Sequence, residues 1–533
     1  MASRYTFALA YGFFLAGLVG AAAVARDETS PLQIPRLQPD PSRYIDPDFP
    51  ALAFEQASFI NYALNNDGSP NVFSRNLVDA IYARTGGKPI IRLGGATADY
   101  ARYVATQAAP VLPRAKAGTA QPLGGTTIGP AYWDVVAASF PTAQYVIQVP
   151  LADPDMSHAV GWAKAATARV GLARIHSFEP GHEPDRYPAA GFGPPSWQGR
   201  QDNGTYVVNF LNYCDAVAAA LGLPRGTRMF QALDTASHPA DPPQDVFSLS
   251  LRSVLQQGLD NHHAVKTFAR HFYQTSGGRA GTLATGLMNH AAIAARLDVF
   301  RDDLAFLAER TTKIPYVLSE LGSSALSGGA ARDPAYQATL GAALWQVDAQ
   351  LYGLSLGISR FHLQQDLRGT FDLWLPAASG NLSAQVFAGY YAQPFVADFV
   401  GAAGTVQVAN VPLEPNVSAY VAYEAGTPKR VAVVNLQYWS KCRRSQGAAV
   451  RHAQRVRLQA PPGVAKVRVV HLTSPQGASA RAKTVTYAGS QWTWESRGRE
   501  VKGVRDDGDV LRVEGGVVDI PVKASEAVIV HFL

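Results

Sequence analysis

Two glutamates sit in settings suited to bond-breaking chemistry. Glu183 lies in FEPGHEPDRY (178–187), between His182 and Pro184, in a segment too rich in proline and charge to be the interior of a helix or strand. Glu320 closes an apolar run in VLSELGSS (317–324), beside Gly322 and Ser323, small residues that would let a ring-shaped ligand come close. A carboxyl pair cleaves an acetal when one member is a general acid and the other an ionised nucleophile, about 5 to 5.5 Å apart, in environments that push their pKa values apart. A single loop glutamate is ordinarily a salt bridge or a helix cap. Two brought to one face of a scaffold would act together, so the question passes to the elements that carry them.

From about residue 50 to 390, short apolar runs alternate with segments of helical period, the pattern of βα units around a parallel sheet. Strands are expected at Ala51–Phe54, Pro89–Leu93, Tyr145–Val149, Ala173–Glu179, Met229–Leu233, Val265–Phe272, Tyr316–Glu320 and Ser355–Leu363. Apolar spacings of three and four predict helices at Asn71–Thr85, Asp155–Arg169, Thr205–Leu221, Asp245–Gln257, Met288–Arg310 and Pro334–Tyr352. Eight strands with intervening helices favour a closed (β/α)8 TIM barrel, whose functional groups gather at the carboxyl ends of the strands. Glu183 then follows strand four and Glu320 ends strand seven.

Beyond Gln393, alternating runs such as VSAYVAYEA and RVAVVNLQYW, broken by Gly, Pro and Ser, predict a C-terminal all-β sandwich domain. The expected division is a signal peptide at 1–25, an N-terminal segment at 26–50 able to join the β-domain, the barrel at 51–392 and the sandwich at 393–533. Arg4 ahead of the apolar run 7–24, with Ala23-Val24-Ala25 before Arg26, reads as a secretory signal; a retained anchor is the competing reading. Once the signal is removed, no stable membrane span is expected, and the protein is expected to be extracellular or wall-associated. Asn203, Asn381 and Asn416 each begin an Asn-x-Ser/Thr triplet and are candidate glycosylation sites.

The 533 residues are 47% hydrophobic and 17% charged, enough for a large core and too apolar for disorder. The formal charge is +6, but no block of five basic residues marks a nucleic-acid arm, and Lys441, Arg443 and Arg444 form only a short cluster. Cys214 and Cys442 are the only cysteines, which leaves room for one disulfide or two free thiols and excludes a thiol metal site.

Several of these stretches together resemble glycoside hydrolase family 79, in its fungal β-glucuronidase branch, with heparanase a more distant relative. They are FSRNLVDAIYARTGGKPIIRLGGATADYARY (73–103), PGHEPD, HFY (271–273), VLSELGSS and, downstream, HLTSPQGASA with VTYAGSQWTW. The resemblance implies retaining hydrolysis of β-linked glucuronic acid or its 4-O-methyl form, on a glucuronic-acid-bearing glycan or glycoside, without metal or organic cofactor. It implies Glu183 as acid/base and Glu320 as nucleophile, with substrate contacts from Glu55, Asp99, His182, Tyr273 and Tyr390. Tyr273 falls where such enzymes hydrogen-bond the nucleophile, and Tyr390 where the uronate would be recognised. The chain departs from the pattern at His182, where the family has asparagine facing the sugar 2-hydroxyl, at Ala96, and at Gln364, where relatives tend to carry histidine. His182 as the 2-hydroxyl partner would add a pH dependence beyond that of the two glutamates. His271 reads more readily as a core histidine satisfying buried polar groups. The competing functional reading is a weakened family member serving as a carbohydrate-binding or cell-wall protein.

Overall fold

Eight parallel strands pair in chain order and close on themselves, strand one against both strand two and strand eight. They run Pro50–Glu55, Ile90–Gly94, Gln144–Val149, Ile175–Pro180, Phe230–Thr235, Val265–Thr275, Tyr316–Ser324 and Arg360–Gln365. Helices pack outside and side chains fill the lumen, so the strands are buried on both faces over most of their length. Strand one, PALAFE, is buried at every position. The computed structural model describes residues 31–35, 44–114, 125–153, 155–187, 202–236, 249–275, 282–310, 312–324, 333–367, 370–441 and 450–533. The expected signal peptide at 1–25 and Cys442 lie outside them.

Local chemistry sets the element ends. Asn71 accepts a hydrogen bond from the Ser74 amide to start the helix Val72–Thr85, and Gly86 stops it at φ 69. Several boundaries differ from the sequence expectation, and strand seven runs past Glu320 to Ser324. The helix Leu340–Leu356 runs through Ser355, and Gly357 at φ 99 delays strand eight to Arg360. Its N-terminus is capped by Thr339, whose hydroxyl accepts from Ala342 N, so the expected 334–352 helix is two pieces. The 288–310 segment is likewise divided, into His290–Asp298 and Arg301–Glu309.

Two helices escape periodicity. Pro130–Ser139 is apolar with little polar contrast, and Ala392–Val400 contains Pro394. Proline is tolerated in a first turn, where its missing N–H has no intrahelical partner to lose. That helix packs on the barrel, and the sandwich begins at Val406 rather than 393.

In the sandwich, the strands Val406–Glu414, Val417–Glu424, Thr427–Asn435, Glu526–Phe532 and Lys466–Thr473 pair in that order, with Thr486–Tyr487 and Gly508–Arg512 beside the last. Period-two alternation divides this sheet between two cores. Ala419, Val421, Val433 and Val528 face Val456, Leu458 and Ile520 of the pair Ala453–Gln459 and Val517–Lys523. Tyr420, Ala422, Val434 and Ile529 join the barrel's core instead. Leu32 inserts into the first of these cores and bonds through its amide to Arg457 O at 2.6 Å. On the barrel side, Asp348 accepts from Tyr420 Oη at 2.7 Å and lies 2.8 Å from His290 Nδ1.

Candidate active site

The titratable groups of the barrel lumen converge at the carboxyl ends of strands two, four, six and seven. Arg92 on strand two is fully buried and forks onto Glu179 of strand four, with Nε–Oε2 2.8 Å and Nη2–Oε1 2.6 Å. Its remaining nitrogen, Nη1, donates to Glu320 Oε2 at 2.9 Å, and Tyr273 Oη donates to Glu320 Oε1 at 2.5 Å. Both oxygens of Glu320 are thus bonded, and both donors come from barrel strands. A buried ion pair is weak evidence for stability because desolvation offsets its attraction. Its value here is orientation.

Glu183 is held differently. Its backbone is left-handed (φ 49, ψ 54), as is that of Asp234, whose carbonyl accepts the Glu183 amide at 3.0 Å. Non-glycine residues in this region carry a cost that surrounding contacts must hold in place. Those contacts are at hand: the preceding amide, His182 N, donates to Asp99 Oδ1 at 3.1 Å, and Tyr187 Oη donates to Asp99 Oδ2 at 2.7 Å. The Glu183 carboxylate then accepts from His271 Nδ1 at 3.1 Å and from Arg186 Nη1 at 3.2 Å. His271 Nδ1 also lies 3.9 Å from Glu320 Oε2. One nitrogen between the carboxylates caps the gap between those two oxygens at about 7 Å, near the span of a paired-carboxyl site.

These contacts set the charge states. Burial raises the pKa of Glu320, but the positive charges of His271 and Arg92 oppose it and the net shift is downward. Glu183 follows the same pattern, with burial opposed by His182, by the His271 hydrogen bond and by Arg186, and it too is displaced below the usual carboxylate range. His271 moves the other way: burial disfavours its charge, yet Glu320 and the bond to Glu183 bring it to about 9. His271 Nε2 has no partner among the described residues, so the proton shared with Glu183 is the one on Nδ1. At neutral pH the acidic proton of this pair therefore rests on the imidazole.

His182 is the opposite kind of histidine. Arg92 Nη2 donates to its Nδ1 at 3.1 Å, which fixes the proton on Nε2, and burial lowers its pKa to about 3. The expected extra pH dependence from His182 is thus overturned: it is a neutral donor with one tautomer. The same fact bears on metals. His182, Glu183 and His271 are a group with ligand atoms all within 4.8 Å of one another. With its Nε2 protonated, His182 offers that cluster no lone pair, and the set does not suit a cation.

The structure brings Glu183, Glu320, His182 and Tyr273 together and sets three named residues apart. Asp99 is buried, pushed up to about 8 by that burial, and engaged with Tyr187, Gln148 and His182 N. It props the loop that carries Glu183. Glu55 accepts from the Thr97 amide and hydroxyl, against Gly95 at φ 98, where any Cβ would lie 2.0 Å from Glu55 Oε2. It braces the loop after strand two. Tyr390 is excluded from the site: its hydroxyl donates to Leu77 O at 2.8 Å and its ring packs on Trp492 in the seam with the sandwich. The small neighbour of Glu320 also has another purpose, since a Cβ at Gly322 would come within 2.6 Å of the Tyr273 ring.

Arg92 and Glu179 were not picked out from sequence. The signal that could have found them is a charged residue inside each of two apolar strand runs, IIRLG and IHSFEP. Among the glycosylation candidates, Asn381 is exposed, Asn203 accepts from Ser250 N, and the half-buried Asn416 accepts from His290 N. Cys214 is a buried free thiol.

A closed (β/α)8 barrel with two carboxyl groups about one histidine at its mouth defines a glycoside hydrolase, and similarity to known proteins agrees. Residues 419–529 match the glycosyl hydrolase family 79 C-terminal beta domain. Over 510 residues the chain is 28% identical to a beta-glucuronidase of Aspergillus niger, covering 90% of each, and over 472 residues 27% identical to a beta-glucuronidase of Neurospora crassa, covering 81% of this chain and 78% of that one. In structure it is similar to a 4-O-α-L-rhamnosyl-β-D-glucuronidase of Fusarium oxysporum, with TM-score 0.74 at 20% identity over 94% of this chain and all of that one. It also shares the fold of a family 51 arabinofuranosidase of Xanthomonas axonopodis pv. citri, with TM-score 0.60 at 14% identity over 93% of this chain and 98% of the other. The chain is a glycoside hydrolase whose C-terminal domain is similar to that of family 79.

Proposed function

We propose that the chain is an exported, retaining β-glucuronidase that works by double displacement. The carrying observation is the division of labour about His271: Glu320 is ionised and held by Arg92 and Tyr273, while Glu183 shares one transferable proton with His271 Nδ1. In the first step Glu320 attacks the anomeric carbon and the bond to the aglycone oxygen breaks. That oxygen takes the pair's proton through Glu183. In the second step Glu183, now a base, removes a proton from water, which attacks the same carbon and releases Glu320. Protons and bonds balance over the cycle, and the Nδ1 proton is restored. His182 Nε2–H, 3.7 Å from Glu183 Oε2, is placed to donate to a sugar hydroxyl in the cleft.

The choice of glucuronide rests on the fungal relatives, and export on the signal-like residues 1–25. The test is turnover of 4-nitrophenyl β-D-glucuronide against the matching glucoside, with the first-formed anomer observed by proton NMR. Preference for the glucuronide and initial release of the β-anomer are expected. Equal rates would remove the uronate reading, and initial α-anomer would remove double displacement.

A further inference from the structure

Between the barrel and the sandwich lies a cavity of about 740 Å³, a volume typical of ligand sites. Its barrel wall comes from the connections after strands seven and eight, at Pro334, Ala338 and the segment 382–387. Both connections leave the carboxyl ends of their strands, so the cavity opens from the same end of the barrel as Glu183 and Glu320. The link to the site is physical. Phe371, in the strand-eight connection, packs edge-on to Tyr273 at 6.3 Å between centroids, Thr370 Oγ1 donates to Gln337 Oε1 at 2.8 Å, and Gln337 Nε2 donates to Ser324 Oγ at 2.8 Å.

The other wall belongs to the sandwich and carries the chemistry. Trp494 is 41% exposed, and its ring is fixed edge-on against Phe73 at 4.8 Å. A fixed, half-open indole face suits the C–H face of a sugar ring at small entropic cost. Arg481 and Lys483 line the same cavity and are exposed, and Arg481 bonds across the seam to Pro334 O. Glu495 is the one acidic residue in the lining, so the cations outnumber it. Gln385 and Gln491, each tied to a main-chain carbonyl, add fixed amide groups.

We propose that this cavity is an accessory subsite that binds a second, acidic segment of the glycan whose terminal sugar enters the barrel. Trp494 is the stacking platform and Arg481 with Lys483 are the carboxylate partners. The choice of an acidic glycan rests on the glucuronidase reading. The sandwich thereby becomes part of substrate recognition for chains, while small aryl glycosides never reach it.

The test uses the full chain carrying Glu320→Gln, a glucuronic-acid-bearing tetrasaccharide, and the same tetrasaccharide with its carboxyl groups reduced to hydroxymethyl. In that background Trp494→Ala is expected to weaken calorimetric Kd for both probes at least about tenfold. Lys483→Glu is expected to weaken binding of the acidic probe alone. In the otherwise native chain, both substitutions should leave turnover of 4-nitrophenyl β-D-glucuronide within about twofold. Unchanged Kd in both variants would overturn the subsite, as would equal losses for the two probes in Lys483→Glu. If Trp494→Ala failed to fold, Lys483→Glu alone would decide. A native chain inactive on the aryl glucuronide, with Trp494-dependent tetrasaccharide binding intact, would remove the glucuronidase reading and leave the subsite standing.

Discussion

The two halves of the site are built on opposite principles. Glu320 extends from strand seven, at a register shift between Leu318 and Glu320, and its oxygens are bonded by Arg92 and Tyr273 of strands two and six. Glu183 stands on a strained left-handed backbone in a loop, and its main partner, His271, titrates near 9. A nucleophile must stay ionised and stay aimed, which permanent charge and rigid elements achieve. An acid/base must gain and lose a proton each cycle, which calls for a partner that can do the same. The left-handed backbone at Glu183 and Asp234 goes with presenting a carboxylate from the loop after strand four to a histidine two strands along the barrel.

Breaking the fixed half should have the largest effect. Glu320→Gln is expected to lower kcat at least about 10⁴-fold on every substrate, measured with the aryl glucuronide. Arg92→Met should do similar damage and also destabilise the chain by about 3 to 5 kcal/mol, because Glu179 is left buried and unpaired; urea denaturation reads that loss. Tyr273→Phe removes one charge-assisted bond, worth about 1.5 to 3 kcal/mol, so a fall in kcat of about 10- to 100-fold is expected with the fold intact. A Tyr273→Phe variant as active as the native chain would show that Glu320 is oriented by Arg92 alone.

The titrating half should respond to pH and to the leaving group. Glu183→Gln should cost about 10²- to 10⁴-fold on alkyl glycosides, whose leaving oxygen needs the proton, and far less on dinitrophenyl glycosides. In the native chain kcat/KM should fall on the alkaline side near about 9, where the Nδ1 proton is lost. His271→Gln should move that limb down by at least one unit, since the proton must then sit on Glu183 itself. Stability has the matching sign: the contribution of His271 is complete below its unfolded pKa of about 6.5 and fades as pH rises from there to about 9. The smallest effect is expected at His182, which stays neutral above pH 3. His182→Asn should change the rate but leave the shape of the pH profile unaltered. A limb lost with His182 would reverse the assignments of the two histidines.

The barrel and its catalytic end were legible because strand runs, helical spacing and chain order constrain one another. Glu183 and Glu320 stood out for the same reason, each expected at a strand end, although strand seven runs on to Ser324, and Tyr273 stood out through the family resemblance. What escaped is non-local. Glu179, four residues before Glu183, reads as one more polar residue until strand four is laid beside strand two and Arg92 meets it. Asp99 and Tyr390 sit in suggestive motifs, but their polar atoms are consumed by Tyr187, Gln148 and Leu77 O, partners that no local pattern shows. The tautomer of His182 depends on a guanidinium 90 residues away. The helix Ala392–Val400 was hidden by its short span and by Pro394 in its first turn, in a run that is buried nearly all round.

The most direct test of the account is covalent trapping. A 2-deoxy-2-fluoro-β-glucuronyl fluoride slows both steps but leaves a good leaving group, so a glycosyl-enzyme should accumulate and inactivate the chain with one label per molecule. Digestion and tandem mass spectrometry are predicted to find the label on Glu320 in the peptide containing VLSELGSS. A label on Glu183 or Glu179, or full inactivation with no covalent label at all, would contradict the division between a fixed nucleophile and a titrating acid.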